Sequence, residues 1–335
     1  MIRRRAVLGF GLTAGAFGLG AFGLGAPGLA TRQAVAQASR RMTVLLGAPS
    51  GSRLDQMTRA IIPFLTRQAA ADSFVLRNIP GSGGLDCLMA LAEAPASGAT
   101  IGWVSTPTLP ARMVDRGGTA LMDRLDLLGA VLREPIAFVS PAAAPLESVQ
   151  DVIRRAAEDA DAFPLGTPPP GSPPHLAALR LQAVAQTRLN IVTFPSAAAA
   201  RHAVAAGNVS AAALGLSDVI GLLRDGRLHG IGLASRNRFG MLPDMPVLQE
   251  AGVPLAASIR RGLGAPTGLP APLAERLVQV MRAMVKDQEY RRHADESGFV
   301  PTWIEGASWR RVAEAERADL AALWRTDPWL PSSSG

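Results

Sequence analysis

The chain is short of almost every residue type that marks a metal, disulfide or nucleic-acid protein. Cys87 is its only cysteine, which excludes an intramolecular disulfide, and the apolar run around it reads as buried, unreactive core. The four histidines, His175, His202, His229 and His293, include no His-x-x-x-His pair, so neither a metal nor a cofactor is expected. Lys286 is the only lysine, and the arginines form no basic run interleaved with aromatics, which sets nucleic acid aside. No nucleophile elbow occurs, because Gly215-Leu216-Ser217-Asp218-Val219 lacks the closing glycine and nothing activates any one serine. Neither glycine-rich turn has the dinucleotide spacing, and Asp72 precedes the second turn instead of following it. A non-enzymatic protein is the expectation, with a serine hydrolase the remaining catalytic alternative.

Charge is also missing from the beginning of the chain. After Arg3-Arg4-Arg5 no charged residue occurs from Ala6 to Thr31, and the small-residue stretch Ala34-Val35-Ala36-Gln37-Ala38 follows. A basic start, an apolar run and a small-residue site predict an export signal over residues 1–38, cleaved after Ala36 or Ala38. The paired arginines make it resemble a twin-arginine signal. An uncleaved anchor is the competing reading, since the run is about long enough for a bilayer core of about 30 Å, but its eight glycines weigh against it. Taking the four arginines of the first 36 residues from the 34 basic residues leaves 30 against 27 acids, a net of +3. The basicity of the whole chain is thus partly the signal, and a periplasmic location is expected.

What the mature chain does have is turns suited to an anion. Asn78-Ile79-Pro80-Gly81-Ser82-Gly83-Gly84 puts a strand end, a proline and a glycine-rich turn directly before the apolar run Leu85 to Leu91. Backbone N–H groups of such a turn and the positive end of the helix behind it point the same way. The device is repeated earlier. Gly47-Ala48-Pro49-Ser50-Gly51-Ser52-Arg53-Leu54-Asp55 lies between the strand-like Val44 to Leu46 and the helical run Gln56 to Arg67. Two such turns within about fifty residues predict a negatively charged ligand.

Short apolar runs alternate with helical patterns: Thr43–Leu46, Phe74–Arg77 and Ile101–Val104 each precede one. Alternation of this kind predicts crossover units, a mostly parallel sheet, and ligands at the carboxyl ends of the strands. Separate strands are predicted at Leu127–Val131 and Ile136–Val139, and a helix from Leu146 to Asp159. A second unit begins at Phe163, where Thr167-Pro168-Pro169-Pro170-Gly171-Ser172-Pro173-Pro174-His175 is a rigid strand-to-helix connector. Leu228–Ala234 reads as the last strand, and the chain beyond Pro272 as helical. Helical spacing around Trp303, Trp309, Trp324 and Trp329 predicts that they pack in the core.

In their order and spacing these pieces resemble the periplasmic solute-binding receptors of tripartite tricarboxylate transporters, the Bug family. The matching residues are Pro49 to Asp55 with Arg59, Asn78 to Gly84, Gly171-Ser172 with His175-Leu176, Asp225-Gly226-Arg227-Leu228, Leu242 to Val247 with Glu250-Ala251-Gly252, and Gly262 to Pro272. The resemblance covers the chain from about Met42. It implies an α/β two-lobe fold of the Venus-flytrap kind, lobe 1 from residues 42–136 and 255–330 and lobe 2 from 137–254. It further implies a monomer that closes on a small carboxylate and delivers it to the permease subunits of the transporter. A ligand sensor serving a signalling partner is the alternative. Carried onto this sequence, the ligand-binding residues are Ser50, Gly51, Ser52, Arg53, Asp55, Gly81, Ser82, Gly83, Ser105, Thr106, Thr167, Gly171, Ser172, His175 and Arg260.

The sequence departs from the family pattern at places that bear on the ligand. Arg53 and Leu54 replace small residues, Pro173 and Pro174 replace polar ones, and Phe194-Pro195-Ser196-Ala197 replaces a tyrosine-lysine-glycine pattern. An acid expected near Leu214 and Gly215 is missing, which disfavours a cationic amino acid, and an often aromatic pair is Arg260-Arg261. Because arginine matches a carboxylate bidentately, Arg53 or one of that pair is expected to grip a second carboxylate.

Overall fold

A computed structural model describes residues 40–331 apart from 71 and 119. The export signal expected over residues 1–38 falls outside them. Among the described residues no helix is long and apolar enough to cross a membrane.

The first strands follow the crossover pattern. β1 (Arg41–Leu46), β2 (Ser73–Asn78) and β3 (Thr100–Thr106) pair in parallel, with β1 in the middle. α1 (Arg53–Gln68) and α2 (Leu85–Glu93) connect them, and α3 (Thr108–Asp115) and the short α4 (Leu121–Arg124) follow. β4 (Leu125–Pro141) is one strand of 17 residues where the sequence predicts two, because the backbone runs extended straight through Pro135. Beyond it the parallel pattern returns with β5 (Pro164–Thr167), β6 (Asn190–Thr193) and β7 (Ala211–Gly215), β5 central. Their helices are α5 (Val149–Glu158), α6 (Pro173–Ala185), α7 (Ala197–Ala205) and α8 (Leu216–Arg224). α5 starts at Val149, not Leu146, because Ser148 and Asp151 close a reciprocal capping box.

Three later strands complete the sheet. β8 (Leu228–Ala234) is followed by β9 (Ser258–Pro266) and β10 (Val300–Glu305), so Leu228–Ala234 is not the last strand. Sequence periodicity misses β9 because Arg260, Arg261, Gly262 and Gly264 interrupt its apolar run, and β10 because Pro301 breaks the run at its second residue. α9 (Ala271–Lys286), α10 (Gln288–Ser297) and α11 (Gly306–Thr326) supply the closing helices.

The strand order is β2-β1-β3-β9-β4-β7-β5-β6, with β8 and β10 also on β4. All antiparallel pairs involve β4 or β9. β4 joins two half-sheets: residues up to Pro135 pair with β9, and those from Ile136 with β7 and β8. The first half buries Ile61, Met281 and Tyr290 on one face and Leu91, Leu109 and Trp309 on the other. The second half buries Phe138, Leu165, Leu181 and Ile231 together with alanines, among them Ala177, Ala178 and Ala211. A further cluster, with Ala111, Leu176, Leu179, Leu320 and Trp329, joins α3 and α11 of the first half to α6 of the second.

Candidate ligand-binding site

The turn after β1 is tied down from within. Ser52 caps α1, its hydroxyl accepting from the Asp55 N–H at 3.3 Å. The Asp55 carboxylate, only 2 % exposed, accepts from the Gly51 N–H (2.9 Å), Arg59 Nε (3.0 Å) and Asn78 Nδ2 (2.9 Å). Burial opposes its ionisation, but bonds from Arg59, Gly51 and Asn78 outweigh burial and hold it below the usual carboxylate range. Asp55 is therefore engaged in fixing the turn to the end of β2. Ser50 and Gly51 are exposed at its tip and Ser52 is half-buried.

The turn after β2 carries four successive left-handed residues: Gly81, Ser82, Gly83 and Gly84 at φ 135°, 44°, 63° and 97°. Two of these glycines are also needed for space. A Cβ on Gly81 would strike the Asp86 carboxylate, and one on Gly83 would strike the guanidinium of Arg112. That arginine projects from α3 and is 2 % exposed. Its Nη1 makes a long contact of 3.5 Å to the Ser82 carbonyl, and its Nη2 donates to Asp115 at 2.5 Å and to the Gly171 carbonyl at 3.3 Å. Asp115 in turn accepts from Trp329 Nε1 at 2.6 Å. Burial pushes the Asp115 carboxyl up and the Arg112 guanidinium down, each opposed by the charge of the other.

Gly171 belongs to the turn after β5, so Arg112 spans the two half-sheets. A Cβ at Gly171, where φ is 71°, would also meet Arg112 and stand 2.8 Å from Asp115 Oδ2. The Gly171 N–H donates to His175 Nδ1 at 3.4 Å. Burial pushes His175 down to about 4, so the ring is neutral at pH 7 and serves as the acceptor that shapes this loop. Thr167 is fully buried and donates to the Pro168 carbonyl at 3.1 Å. Ser172 precedes the two prolines that start α6 and makes no cap bond; its buried Oγ has no partner.

A second link joins the halves beside β4. Arg53 Nε donates to the Ser217 carbonyl at 3.0 Å, tying the start of α1 to the start of α8. Glu134 of β4 accepts from the Ser217 N–H (3.1 Å) and Oγ (2.5 Å) and is ion-paired with Arg261. Arg260 is paired with Glu316 at 2.8 Å. All three arginines expected to face a ligand are thus bonded to protein acceptors. Burial, then the Glu134 charge, push the Asp218 carboxyl up to about 7. Ser105 and Thr106 lie opposite Arg261 and Arg260 in the β3–β9 register, and Thr106 Oγ1 accepts from Trp309 Nε1 at 3.0 Å. Arg53, Arg201, Ser217 and Asp218 line a cavity of about 390 Å³. His175, Gln182, Asn190 and Trp329 line another of about 370 Å³.

The turns after β2 and β5 are brought together at Arg112, and the turn after β1 meets the start of α8 through Arg53. Arg112, Asp115, Glu134, Ser217 and Trp329 are absent from the sequence-derived set. One signal was present, a lone arginine inside the buried stretch Leu109 to Met113. Cys87 is buried in the core, with its thiol pushed up to about 12 by burial.

The fold and the paired turns define a periplasmic-binding-protein architecture, and comparison with known proteins agrees. The family model "Tripartite tricarboxylate transporter family receptor" matches residues 60–323, and the chain belongs to that family of solute-binding receptors. A UPF0065 protein of Bordetella bronchiseptica is 26 % identical over 296 residues, 88 % of this chain and 84 % of the relative. A Rhodopseudomonas palustris protein solved with adipate superposes with a TM-score of 0.77 at 24 % identity, covering 86 % of this chain and 97 % of that one. MatC of the same species, solved with bound malate, gives 0.73 at 19 % identity, covering 85 % and 98 %.

Proposed function

We propose that this receptor works outside the cytoplasm, captures a small carboxylate between residues 42–136 with 255–330 and residues 137–254, and passes it to permease subunits of a tripartite tricarboxylate transporter. The observation that carries the reading is the meeting of the glycine turns after β2 and β5 across the junction of the half-sheets. The two relatives solved with adipate and with malate support the ligand class. Gly81, Ser82 and Gly83 present the anion-binding backbone from one side, with Ser50, Gly51 and Ser52 beside them; Thr167, Gly171 and Ser172 close from the other. Asp55 and His175 shape the turns, each through a bond to backbone N–H. β4 and the segment between β8 and β9 are the crossings about which the parts hinge. Ligand biases the closed state by the contacts it completes only there. The receptor acts as a monomer.

A thermal-shift screen of the purified protein against small carboxylates, amino acids, sugars and nucleotides tests the reading. A ligand at a hundred times its dissociation constant adds about 2.7 kcal/mol of stability. Stabilisation by carboxylates alone is the expected result; a response confined to sugars or nucleotides would sink the ligand class.

A further inference from the structure

Arg112 is charged, 2 % exposed and set between two glycine turns, yet its hydrogen-bonding capacity is not used up. A guanidinium carries five N–H donors. Here Nη2 serves Asp115 and Gly171, Nη1 has one long contact, and Nε has no partner. Of the other buried polar atoms without partners among the described residues, two belong to the neighbouring residues Ser172 and Asp115, as Ser172 Oγ and Asp115 Oδ1. All three belong to residues that converge on Gly171: Asp115 and Arg112 crowd the position of its absent Cβ, and Ser172 is its neighbour. Buried polar groups are bonded in the great majority of structures, and a cluster of three without partners marks a place where a polar guest completes the arrangement. Two of the three, Arg112 Nε and Ser172 Oγ, can donate. The third is an acceptor beside the guanidinium, which a guest hydroxyl or an ordered water satisfies.

We propose that Arg112, together with Ser172, reads the carboxylate of the ligand and is the specificity-determining residue of this receptor, a role resting on the carboxylate-receptor reading above. The glycines at 83 and 171 then have a second purpose: they make room for a guanidinium at the point where both turns aim backbone polarity. Asp115 fixes the guanidinium from one side and leaves its Nε edge for the guest. Trp329 fixes Asp115, so the segment after α11 holds the reading head in place. Selectivity for an anion comes from a side chain already in position before the ligand arrives, in addition to the backbone turns.

Four forms of the protein decide it, each screened by thermal shift and titrated calorimetrically with the acids that stabilise the wild type. R112Q/D115N removes both charges together, keeps an acceptor for Trp329 and leaves no lone buried ion. R112K keeps the charge without the planar fork, and S172A removes the hydroxyl. Affinity for the carboxylate is expected to fall about thirtyfold or more in R112Q/D115N, and by smaller factors in R112K and S172A. Unliganded melting curves establish which variants fold; if R112Q/D115N does not, R112K and S172A decide. Wild-type affinity in R112Q/D115N, or in both single variants, would overturn the proposal and leave the receptor reading standing, with Arg112 serving only to join the halves. A wild type that responds to no carboxylate would overturn both.

Discussion

Two of the contacts that cross the junction of the half-sheets are built on opposite physical terms. Beside β4, Arg53 reaches a backbone carbonyl at the edge of a cavity of about 390 Å³ lined by charges of both signs. At the other, Arg112 and Asp115 are sealed beneath an apolar cluster in which Trp329 is 7 % exposed and stacks edge-on against Trp324 at 4.6 Å. Water can compete for the first contact when the halves part, so making or breaking it costs little. Closing the second strips water from an ion pair, which repays that cost only through its extra hydrogen bonds and the apolar surface buried around it. On the proposed mechanism, the first contact guides closure and the second registers whether the guest is inside.

Substitutions can be ranked by how hard they strain this contrast. The largest effect is expected at Glu134→Ala, beside the Arg53 link, which leaves Arg261 buried without its partner and Ser217 without its acceptor. A loss of about 3–5 kcal/mol in chemical denaturation is expected. Trp329→Ala should cost about 3 kcal/mol by opening a cavity in the cluster that joins the halves. Trp329→Phe, which keeps an aromatic ring but loses the N–H to Asp115 and part of the ring volume, should cost about 1.5 kcal/mol. Finding the alanine and phenylalanine variants equal would mean that the hydrogen bond, and not the apolar cluster, holds this side. Arg53→Ala should cost no more than about 1 kcal/mol in the same assay. A loss as large as that of Trp329→Ala would erase the contrast between the two links.

The most diagnostic effect depends on pH. Asp218 keeps its proton in the folded protein up to about 7, whereas an unfolded aspartate loses it near 3.8. Between those values the folded state binds more protons, so the Asp218 contribution is present at low pH and is lost as pH rises. The melting temperature of D218N should therefore rise relative to wild type between about pH 4 and pH 7, and the gap should stay constant outside that window. His175, pushed down to about 4 from 6.5, acts in the opposite sense, stabilising as pH rises through the same range. Comparing D218N with wild type at each pH cancels that opposing term.

The turns that frame the candidate site were legible because local chemistry wrote them. The turns at 47–55, 78–84 and 167–175 declare themselves through glycine, serine and proline, whose backbone preferences act within a few residues. The strands β1, β3 and β7 declare themselves by apolar runs. β9 was hidden because its arginines have partners far along the chain: Arg260 pairs with Glu316 and Arg261 with Glu134. β4 was split by Pro135, a residue that usually breaks a strand but here lies in the junction between half-sheets. The arginines of the first turn and of β9 were singled out for their charge, and the structure shows that charge already bonded within the protein.

By itself the sequence determined where the chain turns, which helices cap and which runs are buried, because capping, backbone freedom and apolar periodicity are properties of near neighbours. Only the tertiary structure decided that Gly83 and Gly171 share one guanidinium, that Trp329 bonds Asp115, and that Ser217 bonds Arg53 and Glu134. Those partners are chosen by how two half-sheets pack across β4. No local preference records which of many arginines will be left between two turns once the apolar faces have been buried.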